Sequence, residues 1–263
     1  MKTNVSTLAI PELQMKFSSR ESVRKVELWE FYHLQNPDLT EQAFRRILYS
    51  LENERCITPI GAGIYALINP FLASNKKKFV PSLSPTAQEL SLEVRENFPY
   101  TQYLIWETGT LHEFMTHQPG QNQIILEIDK EATESVFNKI KELPSRNIFL
   151  EPDRVIYERY IIDSPVSILL LQLVTQSPKI KTKGVVSARL EKILVDIFSD
   201  EDRFFTFHGQ EMINIFENAF STYWINTKTL FRYAGRRKVV ERLKKFINTR
   251  TQIKLSTPLE NIE

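Results

Sequence analysis

The stretch TEQAFRRILYSLENERCITPIGAGIYAL, residues 40–67, constrains the fold most tightly. Its first half has a helical period. Ala43, Phe44, Ile47, Leu48 and Leu51 recur at three- and four-residue steps and form one apolar stripe. Gln42, Arg45, Arg46 and Tyr49 fall largely on the other side. Thr40 is placed to cap the helix, because a threonine oxygen accepts from N–H groups that the first turn leaves free. The second half changes to strand character. Residues 56–60 and 64–68 flank Gly61-Ala62-Gly63, a hairpin whose turn is shaped by glycines that tolerate positive φ.

Upstream, residues 25–35 carry Val26, Leu28, Trp29, Phe31 and Tyr32 at roughly helical spacing. Asn36-Pro37-Asp38 ends that helix, since proline cannot continue the hydrogen-bond ladder and disfavours the α region for the residue before it. The order helix, helix, polar break, helix, hairpin is that of a winged helix-turn-helix. In such folds the second helix of the motif enters the major groove of double-stranded DNA. Arg45 and Arg46 are then the expected DNA contacts, to guanine or phosphate, with Thr40 and Gln42 at the helix start and Tyr49 one turn on. Gly61 and Gly63 shape the wing, and Tyr65 is expected to touch backbone from it. The competing reading is a winged helix used for protein contacts, with the arginines merely solvated.

The remainder of the 263-residue chain is long enough for a second domain. NPFLASNKKKFVPSLSP, residues 69–85, is rich in proline, serine, asparagine and lysine and marks a linker over residues 73–82. Beyond it strands and helices alternate. Helices are expected over 86–98, 130–143 and the ARLEKILVDIF run. Strands are expected at TQYLIWE, QNQIILEID, NIFLE and RVIYERYII, and a buried strand at SPVSILLLQLV. After Asp200 the pattern is all helical. The expected architecture is therefore α+β: a winged helix-turn-helix over 1–72, then a mixed-sheet α/β domain with a helical C-terminus over 83–263.

Composition excludes several classes. No window approaches 18 consecutive apolar residues, so no membrane partner is expected, and the first residues make a poor signal peptide. One cysteine, Cys56, excludes an intramolecular disulfide and a multi-cysteine zinc site. A cytoplasmic location is the expectation. The net charge of +2 hides an asymmetry: residues 1–80 carry +3, 81–160 carry −6, 161–227 carry −2 and 228–263 carry +7. Basic ends around an acidic middle are compatible with nucleic-acid binding or with the ends packing on the middle.

Catalytic signatures are weak. His112 and His117 lie five apart, not the four of a helical zinc pair, and no metal or cofactor is expected. There is no Walker A loop, GxGxxG or GxSxG. EIDK, residues 127–130, resembles the (D/E)xK end of a nuclease site, but Pro152-Asp153 follows it where the pattern needs it to precede. WETGTLHEFMTHQPG, residues 106–120, reads as a strand, a helical turn and a hairpin, or as a recognition surface. In the C-terminal run RYAGRRKVVERLKKF, Arg236, Lys238, Arg242 and Lys245 are expected on one basic helix face.

Taken together, IGAGIYAL after the winged-helix pattern, FPYTQYLIWETGTLHEFMTHQPG, EIDKEATESVFN, ARLEKILVDIFSD, IFENAF and INTKTLFRYAGRR resemble the AbiEi-like antitoxins of type IV toxin–antitoxin, or abortive-infection, systems. The resemblance runs from about Val26 to Ile247. It implies a non-enzymatic DNA-binding repressor of its own promoter whose second domain counters a nucleotidyltransferase toxin of the AbiEii type, without the two necessarily forming a stable complex. It also implies an interaction surface at Trp106, Glu107, Arg236 and Arg237. The alternatives are a nuclease-like enzyme built on the second domain and an adaptor using the winged helix for protein contacts.

Overall fold

The computed structural model describes residues 8–17, 20, 22–54, 56–67, 76–142, 147–182 and 184–255. They divide into two compact units, one within residues 1–76 together with Leu255 and the other spanning Lys77–Lys254. The protein is a mixed α+β protein with two sheets and a helical C-terminus.

The first unit contains α1 (Ile10–Lys16), β1 (Ser22–Arg24), α2 (Lys25–Gln35), α3 (Glu41–Asn53), β2 (Ile57–Gly61) and β3 (Ile64–Leu67). The three strands form an antiparallel sheet in the order β1-β3-β2. Strand β1 was too short to be expected from the sequence; it pairs Val23 with Tyr65. α3 starts where its cap requires: the Thr40 hydroxyl accepts from Ala43 N at 3.2 Å. Phe44, Leu48 and Leu51 from α3 pack with Leu28, Phe31 and Tyr32 from α2 and with Val23 and Ile57 from the sheet, so the stripe read from the sequence is the core of this unit. Of the expected hairpin, Ile68 lies outside the described residues. Gly63 has φ +70 and uses glycine's freedom; Gly61 does not, and instead ends β2 at a register shift after Pro59.

Residues 73–75 of the expected linker lie outside the described residues. Lys77 opens the second unit: its N–H donates to Thr222 O (2.8 Å), its carbonyl accepts from Trp224 N (3.1 Å), and Phe79 packs edge-on against Tyr223.

The second unit is built on a six-stranded sheet in the order β6-β7-β5-β4-β9-β8. Its strands are β4 (Tyr103–Glu107), β5 (Asn122–Ile128), β6 (Ile148–Leu150), β7 (Val166–Gln172), β8 (Lys179–Thr182) and β9 (Val185–Ala188). The strands β6, β7 and β5 run parallel, β4 turns antiparallel to β5, and β9 runs parallel to β4. The buried run 166–172 takes the position its composition suits, between two parallel neighbours. The β8–β9 hairpin was not anticipated. Alternation along β5 sends Ile124, Leu126 and Ile128 to one face, where they pack with α4 (Pro85–Asn97) and α5 (Thr133–Lys141) through Leu90, Val94, Val136 and Ile140. Ile125 and Glu127 consequently face the other side.

One expectation fails. RVIYERYII is not a strand but the short α6 (Arg154–Ile156) running into a π-helical turn, Tyr157–Ile161. The Asp153 carboxylate caps it by accepting from Ile156 N at 2.8 Å, and Arg154 pairs with Glu158 one turn on. Only Tyr157 and Ile161 are buried, four residues apart, while Val155 and Tyr160 face solvent. β-branched and aromatic composition suggested a strand; the cap and the four-residue burial period outweigh it.

Candidate functional site

In the first unit the residues singled out from the sequence gather on α3. At 3.6 residues per turn, Gln42, Arg45, Arg46 and Tyr49 span an arc of roughly 100°, opposite Phe44, Leu48 and Leu51. All four are exposed, Tyr49 at 68%, and Thr40 is exposed at the helix start. Arg45 meets Glu41 at 3.4 Å with both side chains in solvent, a tether worth little and easily exchanged for another partner. The Gly61–Gly63 turn is exposed; Tyr65 differs, being half-buried against the core, where burial raises its hydroxyl pKa.

The second unit holds a site that sequence reasoning missed. α7 (Leu190–Ser199) is buried along almost its whole length, charged residues included. Lys192 is 0% exposed. Its ammonium donates to Glu127 Oε1 at 2.5 Å and to Asp196 Oδ2. Trp106 Nε1 also donates to Glu127 Oε1, at 3.1 Å. The other oxygen of Asp196 accepts from the Tyr233 hydroxyl at 2.9 Å and lies 3.4 Å from Arg237 Nε. Three helices follow in the chain, α8 (Glu201–Phe204), α9 (Gln210–Thr222) and α10 (Thr227–Arg236); Tyr233 lies on the last and Arg237 is the residue after it. Four elements, β4, β5, α7 and α10, are thus tied through one buried ammonium and two carboxylates.

Burial alone would lower the Lys192 pKa, but Asp196 and then Glu127 outweigh it and hold the ammonium above the usual lysine range. Burial pushes the Glu127 carboxyl up against the pull of Lys192, and burial likewise raises the Tyr233 hydroxyl. Beside the network lies a cavity of about 260 Å³, walled by Trp106, Glu127, Glu151, Asp196, Asp200, Arg203 and Arg237 among others. Arg203 binds Asp200 Oδ2 through Nη1 at 2.6 Å and the Pro152 carbonyl through Nε at 2.9 Å.

Residues 43–253 match the profile of a family of unknown function, DUF6577. The chain belongs to that family. No curated protein matches it. The family match begins inside α3 and takes in the β2–β3 hairpin and nearly all of the second unit, the buried network included.

The other expected residues fall as follows. Trp106 and Glu107 are 1% and 3% exposed and present no outward surface to a partner. Trp106 walls the cavity, and Glu107 accepts from Ser84 N at 2.6 Å and from the Asn122 amide at 2.7 Å. Arg236 is exposed and donates to the Thr175 hydroxyl; Arg237 turns inward. The single basic helix face also fails. Arg236 ends α10, Lys238 sits in a left-handed turn at φ +58, and Arg242 and Lys245 belong to α11 (Val240–Arg250). In EIDK the lysine that meets Glu127 is not Lys130, which is exposed, but Lys192, sixty-five residues away. Among the described residues no group of three His, Cys, Asp or Glu side chains is arranged to hold a metal ion.

The signal for this site was present but ambiguous. Lys192 and Asp196 stand four apart on a helix, which ordinarily marks a solvated pair. Their environment is unusual: an apolar helix, and in β5 a single carboxylate within the apolar run IILEI.

Proposed function

We propose that the first unit is a winged helix-turn-helix that binds double-stranded DNA through α3, and that the protein represses transcription of its own operon. The observation that carries this reading is the single exposed stripe of Gln42, Arg45, Arg46 and Tyr49 on a helix whose opposite face is fully engaged in the core. Two guanidiniums free to exchange partners, an amide and a phenol are the side chains that contact phosphates and base edges. The order of three helices and a three-stranded antiparallel sheet ending in a glycine turn supports the same reading. The resemblance to AbiEi-like antitoxins extends it: the second unit counters a nucleotidyltransferase toxin encoded alongside. Lys192, whose ammonium fills the space between Glu127 and Asp196, supports a non-enzymatic role for that unit.

Fluorescence anisotropy with DNA from upstream of the gene, across a salt series, tests the repressor reading. Specific DNA should bind roughly 10³-fold or more tighter than scrambled DNA. Arg45→Ala/Arg46→Ala should lower the salt slope by about one unit for each phosphate no longer neutralised. Equal weak binding to both sequences rejects the operator reading and favours an adaptor. Rescue of growth on co-expression with the neighbouring toxin tests the antitoxin role.

A further inference from the structure

The geometry points to the cavity beside Lys192 as a binding site for a small organic cation, an ammonium or guanidinium compound of about amino-acid size, held between Glu127 and Glu151 and against the Trp106 indole. This does not rest on the DNA reading, which uses other residues in the other unit. Size sets the first limit. A cavity of about 260 Å³ exceeds the ~150 Å³ that accommodates benzene and falls short of typical drug-sized pockets of ~300 Å³ or more.

Charge sets the sign. The wall arginines are already matched, Arg237 by Asp196 and Arg203 by Asp200. Lys192, fully buried behind the wall, is matched by Glu127. Glu151, an exposed residue of the lining, is then the carboxylate in excess, and the site carries one net negative charge. Acceptors are available as well. Glu127 Oε1 takes both donors, Lys192 and Trp106; among the described residues its Oε2 has no hydrogen-bond partner, although the residue is 96% buried and lines the cavity. Burial pushes this carboxyl up, and an entering cation would supply the counter-charge that burial withholds. Glu151 is also held where it faces the cavity: its φ is +40, unusual for a residue with a side chain, and its Oε1 accepts from Gln172 N at 3.0 Å. Strained backbone of this kind clusters at ligand clamps. Trp106 adds an aromatic wall suited to a cation.

Three isosteric probes separate the possibilities by ligand-observed NMR titration of the full chain: benzylamine, protonated at neutral pH, benzyl alcohol and benzoate. Benzylamine is expected to bind with a Kd of about 1 mM or tighter, near the reach of so small a ligand. It should bind at least about tenfold more tightly than benzyl alcohol, with benzoate silent. Glu127→Gln should abolish the preference for the cation. Because that change also strips a partner from Lys192, Glu151→Gln is the safer variant. Its amide oxygen still accepts from Gln172 N, and it should weaken benzylamine while leaving thermal unfolding unchanged. No binding by any probe, equal binding of benzoate or benzyl alcohol, or undiminished benzylamine binding in a folded Glu151→Gln variant would each overturn the assignment.

Discussion

α3 and α7 carry similar charge patterns and put them to opposite uses. In α3, Glu41 and Arg45 stand four apart and both lie in solvent; in α7, Lys192 and Asp196 stand four apart and both are buried. The difference lies in what surrounds each helix. One side of α3 packs into a small core and the other is left free. α7 is enclosed by β5 and α10, which bring Glu127, Tyr233 and Arg237 to its polar residues. An exposed pair contributes little to stability and remains available to a partner. A buried set is satisfied only as a whole, because each member left alone keeps the full desolvation cost.

The sharpest way to break this comparison is Lys192→Met. Glu127 then stays buried without a cation and Asp196 keeps only Arg237, and stability should fall by about 3–5 kcal/mol, read from the urea midpoint at constant m value. Adding Glu127→Gln should recover much of that loss, since the uncompensated charge is gone while Asp196 still pairs with Arg237. A loss no larger than a surface substitution would mean that the network is open to water.

Helix caps provide a middle scale, one in each unit. Thr40 accepts from Ala43 N and Ser84 from Ala87 N, both at 3.2 Å. Thr40→Ala and Ser84→Ala should each cost about 1 kcal/mol. Residue-resolved hydrogen exchange should show weakened protection around α3 for the first and around α4 for the second. Equal loss everywhere would mean that the two units unfold together.

What could be read from the sequence follows the same division. α3, its cap, the β2–β3 hairpin and the buried strand β7 were legible because their causes are local: an apolar period, a capping hydroxyl, a glycine turn, an unbroken apolar run. The exposed stripe of α3 was legible for the same reason, as the complement of that period. The Lys192 network was not. Its partners lie sixty-five residues before it and about forty after it, and a helical Lys-xxx-Asp looks the same whether solvated or buried. The π-turn at Tyr157–Ile161 was hidden by its strand-like composition, and of the two readings open for residues 106–120 the burial of Trp106 favours the structural one over a recognition surface.

The α3 arginines mark the small end of the stability scale. Arg45→Ala/Arg46→Ala should change stability by no more than about 0.5 kcal/mol, because neither side chain touches the core. Set beside Lys192→Met, that null result in urea unfolding is informative: a fall in DNA affinity in the double variant would then come from the missing guanidiniums and not from unfolding. A cost comparable to that of a cap would instead place these arginines in the structure of the first unit.

The finest test compares two carboxylates that each meet a cation. Glu27, at the start of α2, accepts from Arg24 N at 2.8 Å and from Arg20 at 2.6 Å. The Arg24 N–H, with Arg20 next, lowers its carboxyl to about 2 from the ordinary 4.5. Glu127 moves the other way, because burial outweighs Lys192. For Glu27 the folded value lies below the unfolded one, so its contribution is complete above about pH 4.5 and is lost as the pH falls towards 2. Glu27→Gln keeps an oxygen for the Arg24 N–H and removes the titration. The variant should therefore lose less stability than the wild type between pH 4.5 and 2, and the difference between them should stay constant above that window. For Glu127 the sign reverses: the raised folded value gives a contribution present at low pH and lost as the pH rises through it. Opposite slopes in the two difference curves, from carboxylates with similar partners, would isolate burial as the variable that separates the two units. Parallel slopes would mean that the Lys192 ammonium outweighs burial and holds the Glu127 carboxyl low, whereas a flat Glu127 curve would mean that the group is solvated and the enclosure of α7 incomplete.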